Sequence, residues 1–217
     1  MGNTQSEFKI PIQAHKKTEV ESRHLQPQAT MQTAEVQPQK EPGRLPTLGV
    51  FSNQKLWIDK QTGKKCLMVF ARDLSITWAD TPDYWRWNKV QEPRDEVTEE
   101  AELLAVCWLE AQGQYEISML SPDTVYEILF VIMIKDPSYG WEVPVNFRLI
   151  LPDGTKQVRR ENLMEKPKGI WIEVPAGELR TSMRGNSGKM EFSMFEYEGG
   201  NWKGGLVIKG VQIRPKK

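Results

Sequence analysis

Residues 70–90 carry the side chains of this sequence that are best suited to bind a ligand. The stretch holds three of the chain's eight tryptophans, Trp78, Trp85 and Trp87, with Tyr84 beside them. A flat aromatic ring can cover the apolar face of a sugar ring while polar side chains reach the sugar hydroxyls. The polar residues placed for such contacts are Asp80, Asp83, Arg86 and Asn88. The stretch therefore predicts a surface on which a carbohydrate stacks.

The local pattern predicts different orientations for these tryptophans. Residues 74–78 alternate apolar and polar side chains, which is typical of a strand with one solvated face. Trp78 continues the apolar face of Leu74 and Ile76, so core packing is its alternative to ligand contact. Trp85 follows a proline-containing turn, on a segment free to face solvent. We therefore expect Trp85 to stack on a sugar ring, whereas Trp78 either stacks or supports the site from the core.

Another tryptophan lies in the glycine-rich segment 198–205, which we interpret as a loop between strands. Asn201, Trp202 and Lys203 offer an amide, a ring and a charge, and glycine lets the backbone approach a ligand closely. The alternative is a mobile hairpin loop with Trp202 folded back onto the surface. If the loop lies beside Trp85, the two segments form a shallow sugar-binding groove. The candidate carbohydrate-binding residues are Trp78, Tyr84, Trp85, Trp87, Asn201 and Trp202.

The rest of the sequence has the pattern of an all-β protein. From residue 46 onward, short runs with strand periodicity are separated by turn signals about every eight to twelve residues. This favours an antiparallel β-sandwich of the jelly-roll kind over residues 46–217. Within it, residues 91–100 are interpreted as a solvated acidic loop, and residues 103–110 as one strand.

Residues 1–45 differ in composition from the rest. They contain seven glutamines and four prolines but only one aromatic residue, Phe8. Such a segment buries too little apolar surface to offset the entropy of ordering, so we predict a disordered tail. Its first six residues, Met-Gly-Asn-Thr-Gln-Ser, fit the pattern for N-myristoylation at Gly2. The tail lacks the apolar stretch of a secretory signal, which favours a protein made in the cytosol.

Several longer motifs can be recognised in the predicted sandwich. They are Ala71–Trp78, Tyr84–Trp87, Glu102–Glu110, Tyr126–Phe130, Trp171–Pro175 and Gly204–Pro215. Together they resemble the plant lectin family that includes phloem protein 2 of cucurbits and the tobacco agglutinin. The resemblance covers roughly residues 66–215, and the chain looks closest to the cucurbit phloem lectin.

The resemblance implies a β-sandwich that binds N-acetylglucosamine oligomers, including the cores of N-glycans. Trp78 and Trp85 match the tryptophans of the family motif, so the resemblance implies that they bind the sugar. It also implies a location in the cytoplasm of phloem sieve elements and companion cells, a homodimer, and the filament protein phloem protein 1 as a partner. Cucurbit members form disulfide-linked filaments, which makes Cys66 and Cys107 candidates for an intermolecular disulfide. Two reduced, buried thiols are the alternative.

Composition disfavours other function classes. The chain has 29 basic and 29 acidic residues, whereas dedicated nucleic-acid binders carry a basic excess. A structural protein of phloem filaments, or a carrier of RNA and proteins, is therefore the second hypothesis. Both histidines, His15 and His24, lie in the tail, so we expect no metal site, no cofactor and no histidine-based catalysis.

A glycosidase is the enzymatic alternative, because it needs only two carboxylates placed across a glycosidic bond. The candidates are Glu110, Glu116, Glu173 and Glu191. Spacing along the chain does not bring any two of them face to face, so we interpret them as ordinary surface carboxylates. We expect a binding protein rather than an enzyme.

Overall fold

The computed structural model describes residues 54–92, 96–184 and 187–217. In this part the chain forms twelve strands in two antiparallel sheets, together with three single-turn 3₁₀ helices. The predicted all-β, antiparallel sandwich is confirmed. The predicted disordered tail, the myristoylation motif at Gly2 and the domain boundary at residue 45 lie outside the described residues. Within the described residues, no helix is long and apolar enough to cross a membrane.

Sheet A contains seven strands. They are β1 (Gln54–Ile58), β2 (Lys65–Phe70), β4 (Trp85–Glu92), β5 (Glu96–Leu103), β7 (Val125–Tyr139), β10 (Trp171–Arg180) and β12 (Gly204–Pro215). Strand β12 pairs with β7 along one edge, and its other edge is divided between β2 and β5. The outer neighbours are β10 beside β7, β1 beside β2, and β4 beside β5. The C-terminal strand therefore holds sheet A together.

Sheet B contains five strands in the order β3-β6-β11-β8-β9. They are β3 (Ser75–Ile76), β6 (Leu109–Glu116), β8 (Val145–Ile150), β9 (Lys156–Glu161) and β11 (Lys189–Glu196). Strand β3 is only two residues long, and β6 continues past it as the neighbour of β11. The short β3 matters for function, because the chain leaves the sheet just before Trp78.

The two sheets enclose one hydrophobic core. Phe130 of β7 contacts Phe147 of β8 and Phe192 of β11, with ring centroids 5.5 Å and 6.3 Å apart. All three rings are almost fully buried, and both contacts are edge-to-face, a favoured geometry for aromatic pairs. Side chains that alternate along each strand supply the rest of the core, as expected for a sandwich whose inner faces interdigitate.

The segment 91–100, which we interpreted as a solvated loop, belongs instead to a hairpin. Strand β4 ends at Glu92 and strand β5 begins at Glu96, and Gln91 of β4 pairs with Val97 of β5. The acidic composition suggested a loop because charged residues are depleted in strands. Here the backbone pairing of β4 with β5 overrides that preference.

Residues 103–110 do not form one strand, contrary to prediction. The chain leaves sheet A at Leu103 and enters sheet B at Leu109, so residues 104–108 cross between the sheets. Val106 is fully buried in this crossing and bridges to Lys203. Only Val106 of this run is fully buried, and Trp108 at its end is exposed.

Gly210 is the position of β12 where we expect substitution to be most damaging. Its φ is +151°, and a Cβ there would lie 2.1 Å from the carbonyl oxygen of Val69 in β2. Gly210→Ala should therefore lower the free energy of unfolding by about 3 kcal/mol or more. Gly154→Ala is the matched control, because Gly154 has φ +84° but open space around it, and should cost only about 1–2 kcal/mol. Urea unfolding of both variants tests this, and equal losses would contradict the steric argument.

Candidate functional site

Three connections between strands meet at one end of the sandwich. They are residues 77–84 between β3 and β4, 104–108 between β5 and β6, and 197–203 between β11 and β12. The backbone N–H of Leu104 donates to the carbonyl of Tyr84, and Val106 exchanges backbone hydrogen bonds with Lys203. The three connections are therefore tied to one another, and they carry most of the predicted binding residues.

Trp78, Tyr84 and Trp202 form a surface cluster that we call the aromatic patch. The ring centroids of Trp78 and Tyr84 are 5.5 Å apart, and those of Tyr84 and Trp202 are 6.4 Å apart. Trp78 and Trp202 are 46% and 54% exposed, whereas Tyr84 is half-buried against the core. The structure thus brings the 197–203 connection beside the tryptophan-rich stretch. The meeting point is Tyr84.

Trp78 faces solvent, so of its two alternatives the one in which it continues the core face of Leu74 and Ile76 does not hold. Its φ is +59°, which lies in the left-handed region. The alternation of Leu74 and Ile76 predicts a buried Trp78 only if the backbone stays extended, and the positive φ ends that alternation. This conformation costs a residue other than glycine about 1–2 kcal/mol. Such strain persists only where the surroundings enforce it, and it is concentrated at functional sites.

Trp85 is buried at 2% exposure, so the expectation that it faces outward is wrong. Its indole Nε1 donates to the carbonyl oxygen of Thr77 at 3.1 Å. Trp87 lies two residues further along the same strand, and its Nε1 donates to the carbonyl oxygen of Ala79 at 3.0 Å. The two indoles thereby fix the residues immediately before and after Trp78. They hold the strained backbone that turns Trp78 toward solvent.

The ring of Trp87 is itself held by Arg72. The guanidinium carbon of Arg72 lies 3.7 Å from the ring centroid, a cation–π contact. Arg72 is fixed in turn by Glu99, with Nε 2.6 Å from the carboxylate. The hydrogen bond from Arg72 lowers the pKa of Glu99, so the pair stays ionised around neutral pH. Because Arg72 covers one face of Trp87, that face is not available for stacking on a sugar.

Lys203, which we expected to offer its charge to a ligand, is buried at 1% exposure of its side chain. Its ammonium nitrogen lies 2.6 Å from the carboxylate of Glu196, which is also buried. The same nitrogen donates to the carbonyl oxygens of Cys107 and Asn201, each at 2.9 Å. Lys203 therefore ties together the end of β11, the 104–108 connection and the residue before Trp202.

The glycine at position 140 is needed because the backbone of the 197–203 connection lies against it. A Cβ on Gly140 would lie 2.0 Å from the carbonyl oxygen of Trp202. Gly204 is similarly enclosed, with the carbonyl of Leu104 2.4 Å from a Cβ built there. Gly140 and Gly204 thus permit close packing of the protein on itself, whereas Gly200 in the 197–203 connection has open space around it.

A second group of aromatic residues lies beside the patch, and the sequence analysis missed it. Trp108 stacks on Tyr197 with centroids 4.3 Å apart and planes inclined by 16°. The carboxylate oxygen Oε2 of Glu110 accepts hydrogen bonds from Trp108 Nε1 and Thr77 Oγ1 at 3.2 Å and 3.3 Å. The available signal was that Trp108 and Glu110 are two residues apart, which places both on one face of a strand.

A cleft of about 460 Å³ adjoins the tryptophan-rich stretch. Its lining residues are Arg72, Ala79, Asp80, Pro82, Trp85, Arg86, Trp87 and Leu104. Asp80 and Arg86, two of the predicted polar residues, line this cleft together with Ala79 and Trp85, the chain neighbours of Trp78 and Tyr84. A larger groove of about 740 Å³ runs between Trp57 and Trp171 on sheet A and shares none of these residues.

Comparison with known proteins identifies the family. The family model described as phloem protein 2 matches residues 64–215, which is most of the chain. The chain belongs to the phloem protein 2 family. The match includes Trp78 and the three connections that carry the site, so this phloem protein 2 chain shares with its family the segment in which the site lies.

Individual relatives of this phloem protein 2 chain carry different names. A Luffa acutangula protein named "Lectin" is 40% identical over 174 residues, covering 79% of this chain and 82% of that protein. The Arabidopsis thaliana protein PHLOEM PROTEIN 2-LIKE A1 is 41% identical over 165 residues, covering 75% of this chain and 66% of that protein. The Arabidopsis putative F-box protein PP2-B12 is 34% identical over 176 residues, covering 74% of this chain and 65% of that protein.

Two of the four carboxylates considered for catalysis have structural partners in this phloem protein 2 chain. Glu110 lies on sheet B and holds Thr77 and Trp108, whereas Glu173 lies on sheet A and forms an ion pair with Arg214 at 2.7 Å. These two are therefore not opposed across a common cleft. Among the described residues, no group of three His, Cys, Asp or Glu side chains is placed to hold a metal ion.

Both cysteines of this phloem protein 2 chain are free thiols in the structure. Cys66 is 2% exposed, and burial raises the pKa of its thiol. Cys107 is half-buried in the 104–108 connection, with its carbonyl bound by Lys203. The two thiols therefore differ in access to solvent.

The orientations of Trp85 and Trp78 predict that substitution of the buried Trp85 costs more stability than substitution of the exposed Trp78. Trp85→Ala should lower the free energy of unfolding by about 3–5 kcal/mol, because it removes a buried ring and its hydrogen bond. Trp78→Gly should change it by less than about 1 kcal/mol, because glycine relieves the left-handed strain and the ring is exposed. Chemical unfolding of both variants tests this. A larger loss for Trp78→Gly than for Trp85→Ala would contradict the described orientations.

The Lys203–Glu196 ion pair gives a separate prediction. Lys203→Met should cost about 3–5 kcal/mol, because it leaves the carboxylate of Glu196 buried without a partner. The double variant Lys203→Met, Glu196→Gln should recover part of this loss, since no buried charge then lacks its counterion. Urea unfolding of the single and double variants measures both effects. A single variant as stable as the parent would show that the pair is not buried in solution.

Proposed function

We propose that this phloem protein 2 chain is a lectin that binds N-acetylglucosamine oligomers, and the chitobiose core of N-glycans, without changing them chemically. The observation that carries the proposal is the strained, solvent-facing Trp78. Indole hydrogen bonds from Trp85 and Trp87 fix the residues on either side of it. Strain of this kind is concentrated at functional sites, and here one buried indole and one partly buried indole hold the backbone on either side of the exposed ring.

The aromatic patch offers exposed rings on which a sugar ring can stack. Trp78 and Trp202 present exposed indoles on either side of Tyr84, and the three rings are inclined to one another. In this proposal Trp78 stacks on the sugar, and Trp85 holds Trp78 in position from the core. The ligand-contact role thus passes from Trp85 to Trp78, while Tyr84, Trp202 and the exposed Asn201 keep their proposed contacts. Trp87 becomes a positioning residue like Trp85.

The polar groups near the patch suit an N-acetyl sugar. Its acetamido group carries an N–H donor, a carbonyl acceptor and a methyl group, so it needs an acceptor, a donor and an apolar surface close together. Asp80 offers acceptors, Arg86 offers donors, and both line the cleft beside the patch. The name of the Luffa relative supports carbohydrate as the ligand class.

The cellular setting belongs to the same proposal. The family description supports a place in phloem, and we propose the cytoplasm of sieve elements and companion cells, with glycoproteins as natural ligands. Association as a homodimer and with filaments of phloem protein 1 is proposed with it. If the chain is retained on a chitin column and released by chitotriose, that result supports the lectin function. Release by salt alone would favour the charge-dependent carrier of RNA and proteins.

Titration with chitotriose tests the proposed site. Trp78→Ala should lower affinity by roughly ten- to a hundredfold, since burying one aromatic face is worth about 1.5–3 kcal/mol. Trp171→Ala is the matched control, because Trp171 is a 39% exposed tryptophan on the outer face of sheet A, and its affinity should equal the parent's. Calorimetry on all three proteins gives the comparison. Parent-like binding by Trp78→Ala would place the sugar elsewhere.

A structural role in phloem filaments is the second proposal, and the exposure of Cys107 favours it. An intermolecular disulfide needs an accessible thiol, and Cys107 is more accessible than Cys66. Cys107→Ser should abolish covalent multimers on non-reducing gels after mild oxidation, whereas Cys66→Ser should leave them. Multimers that depend on Cys66 would show that β2 opens under those conditions, and would overturn the assignment to Cys107.

A further inference from the structure

A stack of four side chains runs from the 104–108 connection onto sheet B. The ring of Trp108 lies on Tyr197 at 4.3 Å, Tyr197 lies on Phe195 at 5.4 Å, and the guanidinium of Arg148 covers Phe195 at 4.8 Å. Tyr197 therefore covers one face of Trp108, which is nevertheless 41% exposed. The exposed surface of Trp108 is at the end of a fixed stack.

Trp108 is oriented by more than stacking. Its Nε1 donates to Glu110, Leu109 beside it is fully buried, and the carbonyl of Cys107 on its other side is bound by Lys203. The ring is thus fixed along its edge, along its inner face and at both neighbouring residues. Fixing a side chain before binding reduces the entropy lost when a ligand is bound. These restraints distinguish Trp108 from an incidental exposed hydrophobic residue.

Glu110 connects this ring with the aromatic patch. One oxygen, Oε2, accepts from both Trp108 Nε1 and Thr77 Oγ1, and Thr77 directly precedes Trp78. Trp108 and the residue that precedes Trp78 are therefore bound to the same carboxylate oxygen. The other oxygen, Oε1, accepts no hydrogen bond from the residues that the structure describes, so it can accept one from a ligand hydroxyl or amide.

We propose that Trp108 is a second sugar-binding subsite, occupied by a further ring of the same oligosaccharide, with Glu110 accepting a hydrogen bond between the two rings. This inference rests on the proposed lectin function and extends it to ligand length. The aromatic patch binds one part of the chain and Trp108 binds the next, so affinity increases with the number of sugar units. The selected ligand class is an extended N-acetylglucosamine oligomer.

Titrations of chitobiose, chitotriose and chitotetraose test the subsite. For the parent chain, affinity should rise along this series. Trp108→Ala should leave chitobiose affinity within about twofold and lower chitotetraose affinity by about tenfold, because only the longer chain reaches the missing ring. Trp171→Ala serves as the control and should keep the parental rise.

Comparison of Trp108→Ala with two further variants, Trp78→Ala and Glu110→Gln, separates ligand contact from structural damage. Trp78→Ala should weaken binding of all three oligomers, because it removes the ring that every ligand uses. If Trp108→Ala acted only by loosening the 197–203 connection, it too would weaken all three by the same factor, and that result would overturn the subsite. Glu110→Gln can still accept from Thr77 and Trp108 but loses its charge, so it should reduce chitotetraose affinity more than chitobiose affinity.

The results distinguish failure of this inference from failure of the proposed function. If the parent binds the oligomers and Trp108→Ala keeps the full dependence on length, the subsite is wrong and the lectin function stands. If the parent binds none of the three oligomers, the proposed ligand class is wrong and the subsite falls with it.

Discussion

The arrangement of the candidate site depends on the buried ion pair between Lys203 and Glu196. A buried ammonium and carboxylate are expensive to desolvate, and they are tolerated only when the remaining hydrogen-bonding groups are also satisfied. Here the ammonium of Lys203 meets that requirement with the carbonyls of Cys107 and Asn201, while Glu196 accepts from the backbone of Gly199. These partners come from different connections. The need to satisfy one buried charge therefore fixes the relative positions of the segments that carry Trp108 and Trp202.

The backbone on either side of Trp78 is also held by polar groups that need hydrogen-bond partners. An indole N–H that packs against the core needs an acceptor, and those of Trp85 and Trp87 donate to the carbonyls of Thr77 and Ala79. These bonds hold the two residues that flank Trp78, which itself has a left-handed conformation. The strain of about 1–2 kcal/mol at Trp78 is small beside the burial of the Trp85 ring. Core packing thus stabilises a surface conformation that Trp78 would not adopt alone.

Both arrangements hold the surface that we propose for ligand binding in place without a ligand. The exposed rings of Trp78, Trp108 and Trp202 are each fixed through a neighbouring residue whose own contacts are buried. A rigid aromatic surface suits a carbohydrate ligand, because a sugar gains little from each contact and binding cannot also supply the entropy of ordering loops. This reasoning applies to the extended surface with Trp108 as well as to the aromatic patch.

The sequence alone determined the class of fold and the region of the site. Alternating strands separated by turns predicted the antiparallel sandwich, and the density of tryptophan between residues 70 and 90, with Trp202, indicated the region in which we propose that a ligand binds. Motifs such as Ala71–Trp78 were enough to indicate the family that the match over residues 64–215 then showed. These features are local or compositional, so they can be read without knowing which segments meet.

Only the tertiary structure decided which tryptophans face solvent. Alternation made core packing one of two alternatives for Trp78, and the turn before Trp85 predicted that Trp85 faces outward. The fold exposes Trp78 and buries Trp85. The positive φ at Trp78 ends the alternation, and indole hydrogen bonds from residues seven and nine positions later hold the residues on either side of it. Lys203 was expected at the surface because lysine is rarely buried, and Glu196 is the partner that makes its burial tolerable. Trp108 and Glu110 gained a role only when β3 was paired with β6 and Thr77 was brought to the carboxylate. Each of these outcomes depends on contacts between segments that are apart in the chain, and such contacts leave no periodic signal in the sequence.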